Sequence, residues 1–187
     1  HVATFHDPLT ECKTCHHRFR ADHLGTTPTC PDCGGELTAA REFNLMFQTH
    51  IGSTNDGSSP VYLRPETAQA MFVNFKNIMQ SMRPRLPFGM AQIGKAFRNE
   101  ITPGNYIFRT LEFEQMEIEY FIAPEAWEAS FETWKQWMLT WAKTNGIDLA
   151  KLHELEVPAE ERAHYSKRTV DFEFDFPFGR KELWGLA

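Results

Sequence analysis

The sequence predicts an α+β fold: an antiparallel sheet flanked by helices, with a small cysteine-rich module attached at its N-terminal end. Three observations carry that expectation. All four cysteines of the 187-residue chain fall in its first fifth, as Cys12-Lys13-Thr14-Cys15 and Cys30-Pro31-Asp32-Cys33. Residues 90–122 read as two strands joined by the turn signal Pro103-Gly104-Asn105. Apolar residues recur at helical spacing after Pro65 and again after Pro124, on either side of that hairpin. Residues 1–40 therefore form the module and residues 41–187 the core, a length sufficient for one hydrophobic core with a small satellite.

Two Cys-x-x-Cys turns separated by a hairpin-length segment place four thiolates round one tetrahedral zinc ion. Gly34 and Gly35 after the second pair permit the tight turn whose N–H groups point at sulfur. Two disulfides or a thioredoxin-like dithiol are the competing readings. The start of the chain lacks the charged-then-apolar layout of a secretory leader, and no βαβ context surrounds the pairs. A closed, structural zinc ribbon with four cysteine ligands is therefore expected at Cys12, Cys15, Cys30 and Cys33.

Beyond the module, Phe43, Leu45, Met46 and Phe47 lead into a loop of turn formers, Gly52 to Pro60. A helix opened by Pro65 follows, with Ala68, Met71, Phe72, Phe75, Ile78, Met79 and Met82 as its core stripe. The first hairpin strand covers about residues 90–99 and the second runs from Phe108 to Ile122. Alternation puts Arg109, Leu111, Phe113, Gln115 and Glu117 on one face of the second strand, and Thr110, Glu112, Glu114, Met116 and Ile118 on the other. Pro124 starts a further helix that Gly146 ends, striped by Trp127, Phe131, Trp134, Met138 and Trp141. A second helix after Pro158 precedes a half-buried strand over 169–176, where Val170, Phe172, Phe174 and Phe176 alternate with acids.

A net charge of −6 disfavours a simple nucleic-acid-binding surface, which needs basic residues against phosphate. The charge is uneven. Lys13, Arg18 and Arg20 cluster early, while Glu112, Glu114, Glu117, Glu119, Glu125, Glu128 and Glu132 crowd the middle, a setting suited to cations or ammonium groups. No apolar run is long enough for a bilayer helix, so a soluble, cytoplasmic protein without membrane association is expected.

The chemistry concentrates in Phe97-Arg98-Asn99-Glu100 and Arg109-Thr110-Leu111-Glu112-Phe113. Nucleotidyl transfer needs cations fixed against phosphate oxygens, and arginine's planar fork supplies them bidentately. Paired strands would make Arg98 and Arg109 rigid, which suits catalysis by positioning and charge stabilisation. Phe113 offers a ring on which a base stacks.

This arrangement resembles motif 2 of the class II aminoacyl-tRNA synthetases, Phe-Arg-x-Glu, a loop, then Arg-x-x-x-Phe. Tyr62-Leu63-Arg64-Pro65-Glu66-Thr67-Ala68-Gln69, Phe43-Asn44-Leu45-Met46-Phe47, Phe88-Gly89-Met90-Ala91-Gln92-Ile93-Gly94-Lys95 and Glu114-Gln115-Met116-Glu117-Ile118-Glu119 look like the homodimeric glycyl-tRNA synthetases within that class. The resemblance implies a class II fold of which 41–187 is a part carrying motif 2, with motifs 1 and 3 outside it. It implies ATP-dependent activation of glycine and transfer to the 3′ end of tRNA(Gly), with Arg98, Glu100 and Arg109 as catalytic groups. Arg98 would hold the α-phosphate, Glu100 the adenine side and Arg109 the γ-phosphate of a bent ATP, while Phe113 stacks on the base. Asn99, Phe108, Thr110, Leu111, Glu112, Glu182 and Leu183 would complete the ATP site. Glu66 and Glu117 would take the ammonium of glycine, with Phe113, Glu114, Gln115 and Met116 around it. Glu182, in Lys181-Glu182-Leu183-Trp184-Gly185, would coordinate the magnesium carried with ATP. Two rivals stand beside this reading: a non-catalytic synthetase-like paralogue acting as a nucleic-acid-binding accessory subunit, and a plain zinc-ribbon binding module.

Overall fold

Strand β1 (His6–Glu11) runs antiparallel to both β2 (Arg18–Arg20) and β3 (Arg41–Asn44), in the order β2-β1-β3. A computed structural model describes residues 2–53 and 59–187. It divides into two units, His1–Pro84 with Gly89–Glu119, and Arg85–Phe88 with Tyr120–Ala187. The loop expected over 52–60 falls mostly on residues 54–58, outside the described residues.

In the first unit the cysteine turns are woven into β1–β3 rather than hung from it. Cys12 bridges Leu37, Thr29 bridges Glu36, and Cys30 N–H donates to the Gly35 carbonyl at 2.8 Å. Within 6–40 the buried side chains are only Leu9, Thr10, Cys12 and Cys30. So small an apolar core needs a further staple. Strands β4 (Gln48–His50) and β5 (Pro60–Tyr62) pair antiparallel, and α1 (Ala68–Met82) follows.

Helix α1 starts at Ala68, three residues after the proline expected to open it, because Thr67 at its N-cap is tied to a carboxylate on a distant strand. It stops where Arg83 turns left-handed (φ 47°) ahead of Pro84. Ala68 and Met71 are buried as expected, whereas Phe72 and Met82 are exposed, so only the first turn of the stripe is core within the described residues.

Strands β6 (Phe88–Phe97) and β7 (Glu112–Phe121) form the expected two-stranded hairpin, but its second strand begins four residues later than the alternation suggests. Asn105 and Tyr106 both take positive φ (56° and 58°), making a tight turn. Gly104 and Arg109 close it with reciprocal backbone bonds of 3.0 and 3.1 Å. Thr110 then donates its hydroxyl to the Glu112 carbonyl at 2.7 Å, leaving residues 109–111 as a connector outside the strand. From Phe113 onward the alternation holds: Phe113, Gln115, Glu117 and Glu119 are half-buried while Glu112, Glu114, Met116 and Ile118 are exposed.

The second unit packs α2 (Trp127–Thr144) on a three-stranded sheet of β8 (Leu152–Glu156), β9 (Val170–Phe176) and β10 (Gly179–Leu186), ordered β10-β9-β8 and antiparallel throughout. Its core is Phe131, Val170 and Phe172, with Met138, Leu139, Leu152, Trp184 and Leu186 packed round it. Gly146, at φ 79°, ends α2 as expected. Of the expected aromatic stripe Phe131 is buried, but Trp141 stays about half exposed (51%).

The helix expected after Pro158 is not formed. Strands β8 and β9 pair antiparallel, so residues 157–169 must reverse direction within a short span, and Val157 N–H donates to the Thr169 carbonyl at 2.9 Å to close the loop. Arg162 staples its inside, donating to the Val157 and Lys167 carbonyls at 2.7 and 2.6 Å. Among the described residues no helix is long and apolar enough to cross a membrane.

Candidate functional site

Arg98 follows the last residue of β6 and is held from several sides. Its N–H donates to the Leu111 carbonyl at 3.0 Å, and its Nε donates to the Pro65 carbonyl at 3.0 Å. Its Cζ lies 5.3 Å from the centre of the Phe113 ring, a cation–π contact across the hairpin. The guanidinium is thereby pre-ordered, as charge stabilisation without reorganisation requires.

Glu100 accepts a hydrogen bond from Arg109 Nη1 at 3.2 Å. The carboxylate is almost wholly enclosed and the arginine about one third exposed, so the arginine presents the accessible half of the pair. Asn99 is pinned by its backbone N–H to the Leu45 carbonyl at 2.7 Å. Arg98, Glu100, Arg109 and Phe113 thus gather at one end of one hairpin. Phe108 and Thr110 are half-buried beside Arg109, whereas Leu111 and Glu112 are exposed; Glu112 pairs with Lys95.

A second cluster lies along the same strand. Thr67 donates its backbone N–H to Glu117 Oε2 at 2.8 Å and its hydroxyl to the same oxygen. Gln115 Oε1 also accepts from Thr67 N–H, at 3.2 Å. Glu117 thereby meets the N-terminal end of α1. Glu66, half-buried one residue before Thr67, accepts from Gln69. Burial, reinforced by the charges of Glu117 and Glu66, pushes the Glu119 carboxyl above the usual range. Glu66, Glu117 and Glu119 thus concentrate negative charge in one neighbourhood, which a small ammonium ion would relieve. Glu114 and Met116 stand on the opposite, exposed face of β7 and are not brought to this cluster.

Replacing Thr67 by valine keeps the shape and removes the hydroxyl donor. Thr67→Val is expected to lower stability by about 1–2 kcal/mol, read from urea unfolding, because the half-buried Glu117 carboxylate loses one donor from the buried Thr67.

The cysteines converge. Their four sulfur atoms lie within 4.8 Å of one another, with Cys12–Cys33 at 3.5 Å and Cys15–Cys30 at 3.7 Å. A disulfide needs about 2.05 Å, whereas edges near 3.8 Å follow from tetrahedral thiolates about 2.3 Å from zinc. The backbone N–H groups of Cys15 and Thr14 point at Cys12 Sγ and hold its thiol down to about 6. Donor type and spacing fit one thiophilic, tetrahedral ion.

Glu182 and Leu183 lie on β10 in the second unit, where the pairing register slips between Glu182 and Trp184. Glu182 is exposed and sits opposite Glu173; a Cβ placed on Gly185 would meet Asp171 Oδ1 at 3.3 Å and Glu182 Oε1 at 3.5 Å. Oxygen donors of this kind suit a hard cation.

Sequence reasoning missed Thr67 as the partner of Glu117, although Thr67 lies inside a stretch singled out above. It also missed Phe5, whose ring is 5.5 Å from Arg98 Cζ and which carries no local signal.

The chain is similar to several curated proteins of one name. Glycine–tRNA ligase of Treponema denticola is 54% identical over the whole of this chain and 42% of its own length. The ligase of that name from Caldanaerobacter subterraneus is 47% identical, again over the whole chain and 47% of its own length. That of Streptomyces coelicolor is 49% identical over 99% of this chain and 44% of its own. The chain therefore spans less than half the length of these curated relatives. Residues 47–184, which hold the hairpin, Glu66, Thr67 and most of β10, match the model of the tRNA synthetase class II core domain (G, H, P, S and T), and the chain belongs to that family.

Proposed function

We propose that this chain is the ATP- and glycine-binding part of a glycine–tRNA ligase. The observation that carries the reading is the single hairpin holding Arg98 with Phe113, Glu100 with Arg109, and Glu117 beside Thr67. In the first step the glycine carboxylate attacks the α-phosphorus of ATP in line; the bond to the bridging oxygen breaks and pyrophosphate leaves. Arg98 faces the charge that develops on the α-phosphate, Arg109 takes the γ-phosphate and Phe113 the adenine. Catalysis of this kind rests on orientation and electrostatics, and no side chain acts as a nucleophile. The glycyl group then passes to the terminal adenosine of tRNA(Gly).

Glu66 and Glu117 receive the ammonium group of glycine, and a side chain on the substrate would clash in a pocket fitted to hydrogen. Glu182 would hold magnesium, which neutralises phosphate charge when bound. Cys12, Cys15, Cys30 and Cys33 would hold a structural zinc ion. The full-length protein acts in this reading as a cytoplasmic homodimer.

The test is ATP–pyrophosphate exchange by the full-length protein with each amino acid in turn. Exchange stimulated by glycine alone is expected, and exchange indifferent to glycine overturns the reading. Glu117→Ala should raise KM for glycine by roughly tenfold or more, as loss of a charged hydrogen-bonding partner implies, with little change in KM for ATP. An unchanged glycine KM would remove Glu117 from the role.

A further inference from the structure

Phe5 lies immediately before β1, the strand that runs into Cys12. Its ring centre is 5.5 Å from Arg98 Cζ, close to the 5.3 Å of Phe113, so two rings share one guanidinium. The Phe5 backbone is fixed independently of that contact. Its carbonyl accepts Leu45 N–H at 3.0 Å, and the Leu45 carbonyl accepts Asn99 N–H at 2.7 Å. A single residue therefore links the backbone of Phe5 to the residue next to Arg98.

Asp7, two residues on, adds a second tie. Arg20 Nη1 lies 2.7 Å from Asp7 Oδ2, an ion pair whose direction is too oblique for a hydrogen bond. Arg20 also grips Asp22 at 2.7 and 3.2 Å. Burial is the main influence raising the Asp7 carboxyl; Arg20 and Arg109 oppose it, while Asp22 and Glu100 add to it. The start of β1 thus touches Arg98 through Phe5, and Asp7 lies within electrostatic influence of Arg109.

We propose that Phe5 is a positioning residue for Arg98, setting the plane of the guanidinium so that it meets the α-phosphate, and that β1 thereby ties the four-cysteine module to nucleotide activation. The inference rests on the reading of Arg98 given above. The Pro65 carbonyl restrains only the Nε edge of Arg98. Two ring faces add the remaining orientation by attracting the cation, and neither ring competes with phosphate as a carboxylate would.

The test uses the full-length protein and three variants: Phe5→Leu, which keeps apolar bulk without a π face, and Phe5→Tyr and Phe5→Trp, which keep the face. Phe5→Leu is expected to lower kcat/KM for ATP in glycine-dependent exchange by roughly tenfold, the scale of one desolvated cation–π contact. KM for glycine should stay within about twofold, and the two aromatic variants should recover most of the loss. Wild-type kinetics in Phe5→Leu overturn the inference. So do equal losses in all three variants that track a fall in melting temperature, since a purely structural Phe5 would behave that way. Wild-type protein inert towards glycine overturns the functional reading instead. ATP affinity by calorimetry then decides Phe5 separately: roughly tenfold weakening in Phe5→Leu upholds the positioning role, and unchanged affinity overturns it.

Discussion

Arg98→Ala is expected to lower adenylate formation by about a hundredfold to a thousandfold while leaving the fold intact. The magnitude follows from the loss of one pre-ordered charge donor to a developing oxyanion, worth about 3–4 kcal/mol in the activation barrier. The side chain gives up a carbonyl bond to Pro65 and contacts with two rings, none of them at the centre of a hydrophobic core. Thermal unfolding should therefore shift little. Pyrophosphate exchange and a melting curve on the same preparation separate the two effects. Exchange at the wild-type rate would strip Arg98 of its assigned role; lost exchange with a collapsed melting curve would make it a structural residue.

Cys12→Ser should have the larger effect on stability, confined at first to the module. Residues 6–40 bury little besides Leu9, Thr10, Cys12 and Cys30, and Cys12 is wholly enclosed with two backbone N–H groups directed at its sulfur. Structural zinc binding contributes about 10–16 kcal/mol of apparent free energy to modules of this size, and removal of one thiolate forfeits much of it. Wild-type protein should carry one zinc ion per chain by elemental analysis, and Cys12→Ser markedly less, with new protease cleavage between residues 12 and 38. Wild-type protein free of metal yet resistant to protease there would refute the zinc assignment. Metal loss that also slows exchange would accord with the tie through Phe5.

The convergence of the four cysteines was legible because Cys-x-x-Cys spacing is a local code: two such turns and a pair of glycines lie within a few tens of residues. The hairpin was legible for the same reason, since Pro103-Gly104 marks its turn and alternation marks its strands. What lay beyond reach was non-local or concerned backbone angles. Residue types alone did not reveal two successive positive φ values at Asn105 and Tyr106, which set Arg109 on the connector rather than on β7. Leu152–Glu156 alternates too weakly to announce a strand, and becomes one because β9 offers it a ladder. The turn-forming proline at 158 looked like a helix start until that pairing required the chain to reverse.

The candidate site divides in the same way. Arg98, Glu100, Arg109 and Phe113 form a spaced set that sequence alone recognises, and the structure gathers all four at one end of the hairpin. Glu117 was readable only through resemblance, because one glutamate in an acidic run is indistinguishable from its neighbours; its bond to Thr67 at the start of α1 is what sets it apart. Phe5 and Arg98 meet only because β1 and β3 pair and Leu45 bridges to Asn99, a contact between distant stretches of chain.

That one hairpin seats a nucleotide and a very small zwitterion together is tested most directly by a crystal structure of the full-length protein with a non-hydrolysable glycyl-adenylate analogue. Adenine is expected against Phe113, the phosphate mimic within hydrogen-bonding reach of Arg98, and the glycyl ammonium at Glu117 and Glu66. An analogue bound elsewhere, or bound with Arg98 turned away from it and Glu117 engaged only with Thr67, would contradict the shared seat.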